Sequence, residues 1–175
     1  PIATLLFPSS IGSFLLERSA RGLTHCEIRA ENAPTETSVS SASPADPLLQ
    51  QAANELQAYL EGCLQTFTVT LDLSGLSPFQ QKVLSEVRLI PWGEVRTYAR
   101  VAAQINQPKA MRAVGNALAH NPLMLFIPCH RVISVDGGMH GFSAPQGLTL
   151  KAWLLTHEGH SVIDNKLATK SQKET

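Results

Sequence analysis

The chain has 175 residues, and 43% of them are hydrophobic, enough for one medium domain or two small ones with a packed core and no need of covalent staples. Three cysteines without close spacing (Cys26, Cys63, Cys129) argue against a disulfide framework and against structural zinc, and no apolar run approaches the roughly 18 residues of a membrane helix. The net charge of zero conceals −5 over residues 1–76 (three basic against eight acidic side chains) and +5 over residues 77–175 (eleven against six).

Nothing at the start combines a basic region, an apolar stretch and a small-residue cleavage site, so a reducing compartment such as the cytosol is the expectation. Residues 2–30 read as a hairpin or short sheet. Ala3 to Phe7, Phe14 to Glu17 and Leu23 to Arg29 are strand-like, with Gly12 and Gly22 at turns. Residues 31–46 are rich in Ser, Thr, Ala and Pro and read as a mobile connector. Leu48, Leu49, Ala52, Leu56, Tyr59 and Leu60 then recur at helical spacing. A short strand is expected over Phe67 to Leu73, broken at Ser74-Gly75.

A second part starts at Ser77-Pro78-Phe79-Gln80, which has a capping serine, a proline at the first helical position and a glutamine three after the cap. Phe79, Val83, Leu84 and Val87 form an apolar stripe that ends at Pro91-Trp92-Gly93. Thr97 caps a short helix reaching Ile105, and another runs from about Pro108 to Ala119. Their joint at Asn106-Gln107-Pro108 suggests a helix-turn-helix. In the second helix Ala110, Ala113, Val114, Ala117 and Leu118 are expected to face the core. Arg112, Gly115, Asn116 and Ala119 leave another side nearly free of bulk. That side could approach a groove floor in DNA, with Arg112 reaching inward, or simply pack on a second helix. The basic cluster around it suits a phosphate backbone, or equally a set of solvated helix faces.

Leu123 to Ile127 is an apolar run leading into Pro128-Cys129-His130-Arg131-Val132-Ile133. A soft nucleophile and a potential base are thus adjacent at the edge of a buried segment. The plainer alternative is that Cys129 is a small buried hydrophobe. Val132 to Val135 is strand-like, Asp136-Gly137-Gly138 is a turn, and 141–147 is a loop of mostly small residues. A helix follows from about Leu148 to His157, with Leu150, Trp153 and Leu154 packing inward and Gly159 stopping it. Glu158 at its end opposes the helix dipole and needs a partner. His130 would serve, since a carboxylate orients an imidazole and strengthens it as a base for a thiol.

These motifs together resemble the O6-alkylguanine-DNA alkyltransferases, also called methylated-DNA–protein-cysteine methyltransferases. The matching text is Ser77-Pro78-Phe79-Gln80, Ile90-Pro91-Trp92-Gly93, Thr97-Tyr98, Pro108-Lys109-Ala110, Arg112 to Gly115, Asn121-Pro122, Ile127 to Ile133, Lys151 to Leu155 and His157-Glu158-Gly159. A weaker match at Gly22-Leu23-Thr24 and Leu48 to Gly62 extends it toward the N-terminus.

The resemblance implies an α/β N-terminal domain (a small antiparallel sheet plus a helix, residues 1–73). A mainly helical DNA-binding and alkyl-acceptor domain with a helix-turn-helix follows at 77–160, and then a flexible tail at 161–175. It implies that Cys129 accepts the alkyl group, that His130 and Glu158 are base and orienting acid with a water relaying the proton, and that Asn121 braces the turn before them. Arg112 would fill the gap left by an extruded base. Tyr98 would rotate the nucleotide and offer its hydroxyl to the purine. Thr97, Gln107, Ala113 and Gly115 would lie along the DNA, and Val132, Phe142 and Ser143 would line the base pocket. The implied partner is double-stranded DNA carrying O6-alkylguanine, with O4-alkylthymine as a possible second lesion, bound by a monomer through the minor groove in the cytoplasm or nucleoid. No metal or cofactor is implied.

Two features depart from the family pattern. Phe142 stands where many relatives have tyrosine, and the loop from Ser143 to Gly147 is about two residues longer than the compact form. Two other readings fit the same residues. One is a non-catalytic helix-turn-helix or lesion-recognition module. The other is a cysteine hydrolase, whose base would normally come from elsewhere in the chain.

Overall fold

The computed structural model describes residues 3–29, 46–139 and 147–168. It has two compact units: Pro1–Gln81 with Asn121–Ile127, and Lys82–His120 with Pro128–Thr175. The connector at 31–45, the loop positions Phe142 and Ser143, and residues 169–175 lie outside the described residues.

In the first unit, β1 (Ala3–Ser9), β2 (Gly12–Arg18) and β3 (Leu23–Arg29) form an antiparallel sheet in the order β1-β2-β3. Phe7 opposes Phe14, their ring centroids 6.4 Å apart. Helix α1 (Pro47–Leu60) starts at Asp46, whose Oδ1 accepts from the amides of Leu48 and Leu49, both at 3.1 Å. This satisfies two of the donors that a helix start leaves open. The other carboxylate oxygen takes the Arg18 guanidinium of β2 at 2.6 Å. The helix buries Leu49, Ala52, Ala53, Leu56 and Tyr59.

The strand expected over Phe67 to Leu73 does not form as a ladder; a single bridge joins Leu71 to Leu23. The reason is competition for its amides. The Glu55 carboxylate accepts from the backbone of Thr68 (3.0 Å) and Val69 (3.2 Å), which removes those donors from strand pairing.

The two units are not contiguous in sequence. Segment 121–127 belongs with the first unit because it runs along β3. The Cys26 amide donates to the Pro122 carbonyl (2.7 Å), the Met124 amide donates to the Cys26 carbonyl (3.1 Å), and Phe126 meets Phe67 at 4.6 Å.

The second unit is mainly helical. Helix α2 (Pro78–Arg88) is capped by Ser77, whose hydroxyl accepts from the Gln80 amide at 3.2 Å, and it buries Val83, Leu84 and Val87. Short strands β4 (Arg96–Thr97) and β5 (Val132–Ile133) pair in parallel. Helix α3 (Tyr98–Gln104) is capped by the Thr97 hydroxyl, 3.1 Å from the Arg100 amide. A turn with Asn106 in the left-handed region (φ 60°) leads to α4 (Met111–Ala119), which gives the expected helix-turn-helix. Helix α5 (Gly147–His157) and a hairpin of β6 (Val162–Ile163) and β7 (Lys166–Leu167) complete the unit. The hairpin occupies part of the stretch expected to be a flexible tail. Its turn residues Asp164 and Asn165 both take positive φ (49° and 57°), the conformation of a tight two-residue hairpin turn.

Burial corrects two side-chain assignments. Ala113 is exposed and Ala110 half-buried, so the core face of α4 narrows to Val114, Ala117 and Leu118. Trp153 is 38% exposed, and its ring stacks on His157 (4.9 Å). The buried stripe of α5 is Leu150, Lys151, Leu154 and Leu155, one position away from the tryptophan.

Candidate active site

The apolar run before Cys129 folds as a strained turn. Leu125 is buried with φ 71°, uncommon for a residue with a branched side chain. Asn121 holds the turn at both ends: its Oδ1 accepts from the Leu123 amide and its Nδ2 donates to the Ile127 carbonyl, each at 3.0 Å. The chain then passes through Pro128 into a single 3-10 turn, Cys129–Arg131, and on into β5.

That turn presents Cys129 (9% exposed), His130 and Arg131 together. His130 Nε2 lies 2.8 Å from Glu158 Oε1, so the carboxylate at the end of α5 has the partner its position demanded. Arg131 grips the same carboxylate with both arms, Nε to Oε2 and Nη2 to Oε1, each at 2.8 Å. Its remaining arm donates to the Ile90 carbonyl at 2.6 Å, tying the cluster to the chain just after α2. All three side chains are buried.

The electrostatics select protonation states. Burial alone would raise the Glu158 carboxyl. The hydrogen bonds and charges of His130 and Arg131 outweigh it and bring it to about 2. Burial lowers the His130 imidazole below its usual 6.5, although the Glu158 bond pulls the other way. The stable arrangement is therefore an ionised Glu158 and a neutral His130. A carboxylate only accepts hydrogen bonds, so Nε2 carries the imidazole proton and Nδ1 is left with its lone pair. Nδ1 is buried and has no hydrogen-bond partner among the described residues.

Lys151 on α5 is 1% exposed and donates from Nζ to the Val132 carbonyl at 2.8 Å. Burial lowers it to about 8, against an opposing pull from the charge of Cys129. Tyr98 also feels that charge. Its hydroxyl is raised, first by burial and then by Cys129, so it stays protonated and able to donate.

An open cavity of 740 Å³ lies over the helix-turn-helix. Tyr98, Thr97 and Ala99 line it from the start of α3, Met111, Arg112 and Gly115 from α4, and Ser134 and Val135 from the turn after β5. A side chain built on Gly115 would come within 3.9 Å of the Tyr98 ring, so the small-residue side of α4 faces that ring.

Thr97, Tyr98, Arg112 and Gly115 therefore meet around one cavity, while His130, Arg131 and Glu158 share one buried network, with Cys129 beside it in the same 3-10 turn. Gln107 is exposed at the helix joint, its amide donating to the Ala102 carbonyl, and neither it nor Ala113 lines the cavity. Val132 is fully buried and does not line the cavity; its carbonyl accepts from Lys151.

Arg131 and Lys151 were not among the expected site residues. Lys151 had a signal: it falls on the Leu150–Leu154–Leu155 stripe, where a lysine must find a buried acceptor. Arg131 had none beyond adjacency to His130. Among the described residues no group of three His, Cys, Asp or Glu could hold a metal ion, and no helix is long and apolar enough to cross a membrane.

Comparison with known proteins gives consistent matches over both units. A family model described as the DNA-binding domain of 6-O-methylguanine DNA methyltransferase matches residues 78–160. One described as the ribonuclease-like domain of the same enzyme matches residues 3–73. The methylated-DNA–protein-cysteine methyltransferase of Methanosarcina acetivorans is 37% identical over 154 residues, covering 88% of this chain and 96% of that one. The protein of the same description from Mycobacterium tuberculosis is 39% identical over 150 residues, covering 86% and 88%. The crystal structure of the M. tuberculosis O6-methylguanine methyltransferase superposes with a TM-score of 0.79 at 34% identity, covering 90% of this chain and 93% of that one. A crystal structure of the M. tuberculosis protein in complex with DNA superposes with a TM-score of 0.73 at 34% identity, covering 90% and 91%.

Proposed function

The chain belongs to the 6-O-methylguanine DNA methyltransferase family, and from that premise we propose that Cys129 is the residue that takes the alkyl group. The protein is a DNA repair methyltransferase that binds DNA and transfers alkyl groups to a cysteine of its own; a non-catalytic binding module is not favoured. The observation that carries the choice of Cys129 is the buried Arg131–Glu158–His130 chain, which holds a neutral imidazole with an unprotonated Nδ1 one residue from the thiol.

An alkyl group on guanine O6 is enclosed in the base stack, so the nucleotide must leave the helix, at a cost of a few kcal/mol of unstacking. Arg112 enters the gap and offsets part of that cost. Tyr98, beside Arg112 on the cavity wall, turns the nucleotide inward. The thiol proton passes through a water to His130 Nδ1, and Glu158 stabilises the imidazolium that results. The Cys129 thiolate attacks the alkyl carbon. A sulfur–carbon bond forms, the carbon–O6 bond breaks, and its electron pair moves into the purine, which takes a proton from the Tyr98 hydroxyl; the His130 imidazolium proton returns through water to the tyrosinate. Lys151 holds the Val132 carbonyl in place behind the pocket.

The product is a thioether that nothing in this chain can cleave, so each molecule acts once. The substrate is O6-alkylguanine in duplex DNA, approached from the minor groove by a monomer wherever the DNA lies, cytoplasm or nucleoid. Minor-groove edges distinguish sequences poorly, so selectivity comes from the lesion.

The test is intact mass after incubation with a duplex carrying O6-methylguanine. One methyl group gained per chain, on the peptide containing Cys129, is the expected result. Full repair of the lesion with no change in protein mass would refute the assignment.

A further inference from the structure

The hairpin β6–β7 has no part in the reaction above and lies past the residues that the DNA-binding model matches, 78–160. Its inner edge pairs Ile163 with Lys166 and Val162 with Leu167, and the Ala168 amide closes its base onto the Ser161 carbonyl at 2.8 Å. Its outer edge is engaged as well. The Leu167 amide donates to the Gly137 carbonyl (3.0 Å), the Met139 amide donates to the Asn165 carbonyl (3.2 Å), and Lys166 forms an antiparallel bridge with Gly138. The approach is close enough that a Cβ on Gly137 would stand 3.2 Å from the Leu167 carbonyl oxygen.

The segment held in this way is one arm of a tight turn. The Ser134 amide donates to the Gly138 carbonyl, the Gly137 amide donates to the Ser134 carbonyl, and the Gly138 amide donates to Asp136 Oδ1, all at 2.9 Å. The other arm carries Ser134 and Val135, which line the cavity opposite Tyr98 and Arg112. Val135 is 87% exposed, so packing does not hold it; only the backbone of the turn does. A two-stranded turn is marginal in water by itself, and added strands make it persistent.

We propose that the β6–β7 hairpin is a positioning element for the cavity wall. It fixes the turn from Ser134 to Met139 and thereby sets how large an alkyl group the cavity admits. The inference rests on the reading of Cys129 as the acceptor.

The test compares two duplexes of one sequence, with the guanine bearing an O6-methyl or an O6-benzyl group. Using one sequence for both cancels differences in DNA binding. Leu167→Pro removes the amide donated to Gly137 and leaves the Ile163–Lys166 pair. Asn165→Gly preserves a left-handed turn and the Asn165 carbonyl position, and serves as the control. In Leu167→Pro the benzyl-to-methyl rate ratio should rise by about tenfold, the scale of a pocket's discrimination between groups. In Asn165→Gly the ratio should stay at the wild-type value.

A chain ending at His160 takes the place of Leu167→Pro if that variant does not fold. An unchanged ratio, or equal slowing on both duplexes, overturns the proposal, because a purely structural element would affect both substrates alike. No mass gain in the wild-type chain overturns the acceptor reading instead, and this proposal with it.

Discussion

The first unit buries Cys26 in the middle of β3, and the second buries Cys129 in a turn shared with His130 and Arg131. Around Cys26 the burial and the nearby Glu27 charge push the thiol far above its usual range, which leaves it protonated and inert. Around Cys129 the fold buries charge. Among the described residues the four buried polar or charged side chains are His130, Arg131, Lys151 and Glu158, all in the second unit. A hydrophobic core stabilises through area removed from water, whereas a buried ionic cluster costs desolvation that only full hydrogen bonding offsets. The first unit buries its thiol among apolar groups, and the second carries the cost of buried charge beside its own.

Exchanging the fates of the two cysteines is the strongest way to break this contrast. Cys129→Ala should abolish methyl uptake from a damaged duplex while DNA binding persists. Cys26→Ala should keep full uptake and cost about 1 kcal/mol in urea unfolding. Intact mass reads the first effect, and a methyl group on Cys26 would erase the distinction.

Glu158→Gln should come next in size. It leaves the buried Arg131 without its counter-charge, and the loss should be about 3–5 kcal/mol in urea unfolding near neutral pH. The pH dependence sharpens the point. The Glu158 carboxyl is held at about 2 in the fold, against 4.5 ordinarily. Its stabilisation is thus fully present above pH 4.5 and lost as pH falls toward 2. The Gln variant should lack that part of the acid limb. Equal acid sensitivity in both proteins would mean the pair contributes nothing.

Arg112→Ala probes the open face of the second unit rather than its buried cluster. On the proposed role of Arg112 in offsetting unstacking, its removal should slow repair in duplex DNA by about ten- to a hundredfold. Reaction with free O6-benzylguanine should hardly change. Equal losses on both would contradict a role in base extrusion.

A further effect is expected at alkaline pH. Lys151 falls to about 8 in the fold, against 10.5 ordinarily, so between those values the unfolded chain holds a proton that the folded chain has released. Stability should therefore rise with pH across that window. Urea midpoints at its two ends should differ less in Lys151→Met than in the native chain.

Much of this was legible along the chain. The caps at Ser77 and Thr97, the helix joint at Asn106 and the strands of the first sheet appear where local rules place them, because a cap or a turn depends on neighbours a few residues away. The pairing of Glu158 with His130 was legible too, since a carboxylate at a helix C-terminus calls for a partner. Where the structure differs, side-chain contacts decide. Trp153 stacks outward on His157, and over Phe67 to Leu73 a glutamate on α1 takes the strand's amides. The Asp164-Asn165 turn was present in the text, but too few strand residues flank it to stand out.

By itself, then, the sequence determined the family, the antiparallel first sheet and the helix-turn-helix, because each depends on short stretches of chain. The tertiary structure alone decided that Arg131 closes on a carboxylate 27 residues away and that Lys151 is buried against Val132. It also decided that segment 121–127 joins the first unit and that the last hairpin pairs with the turn at Gly137. Contacts of that kind follow from which surfaces exclude water together and which buried groups find a partner. No window of neighbouring residues carries that information.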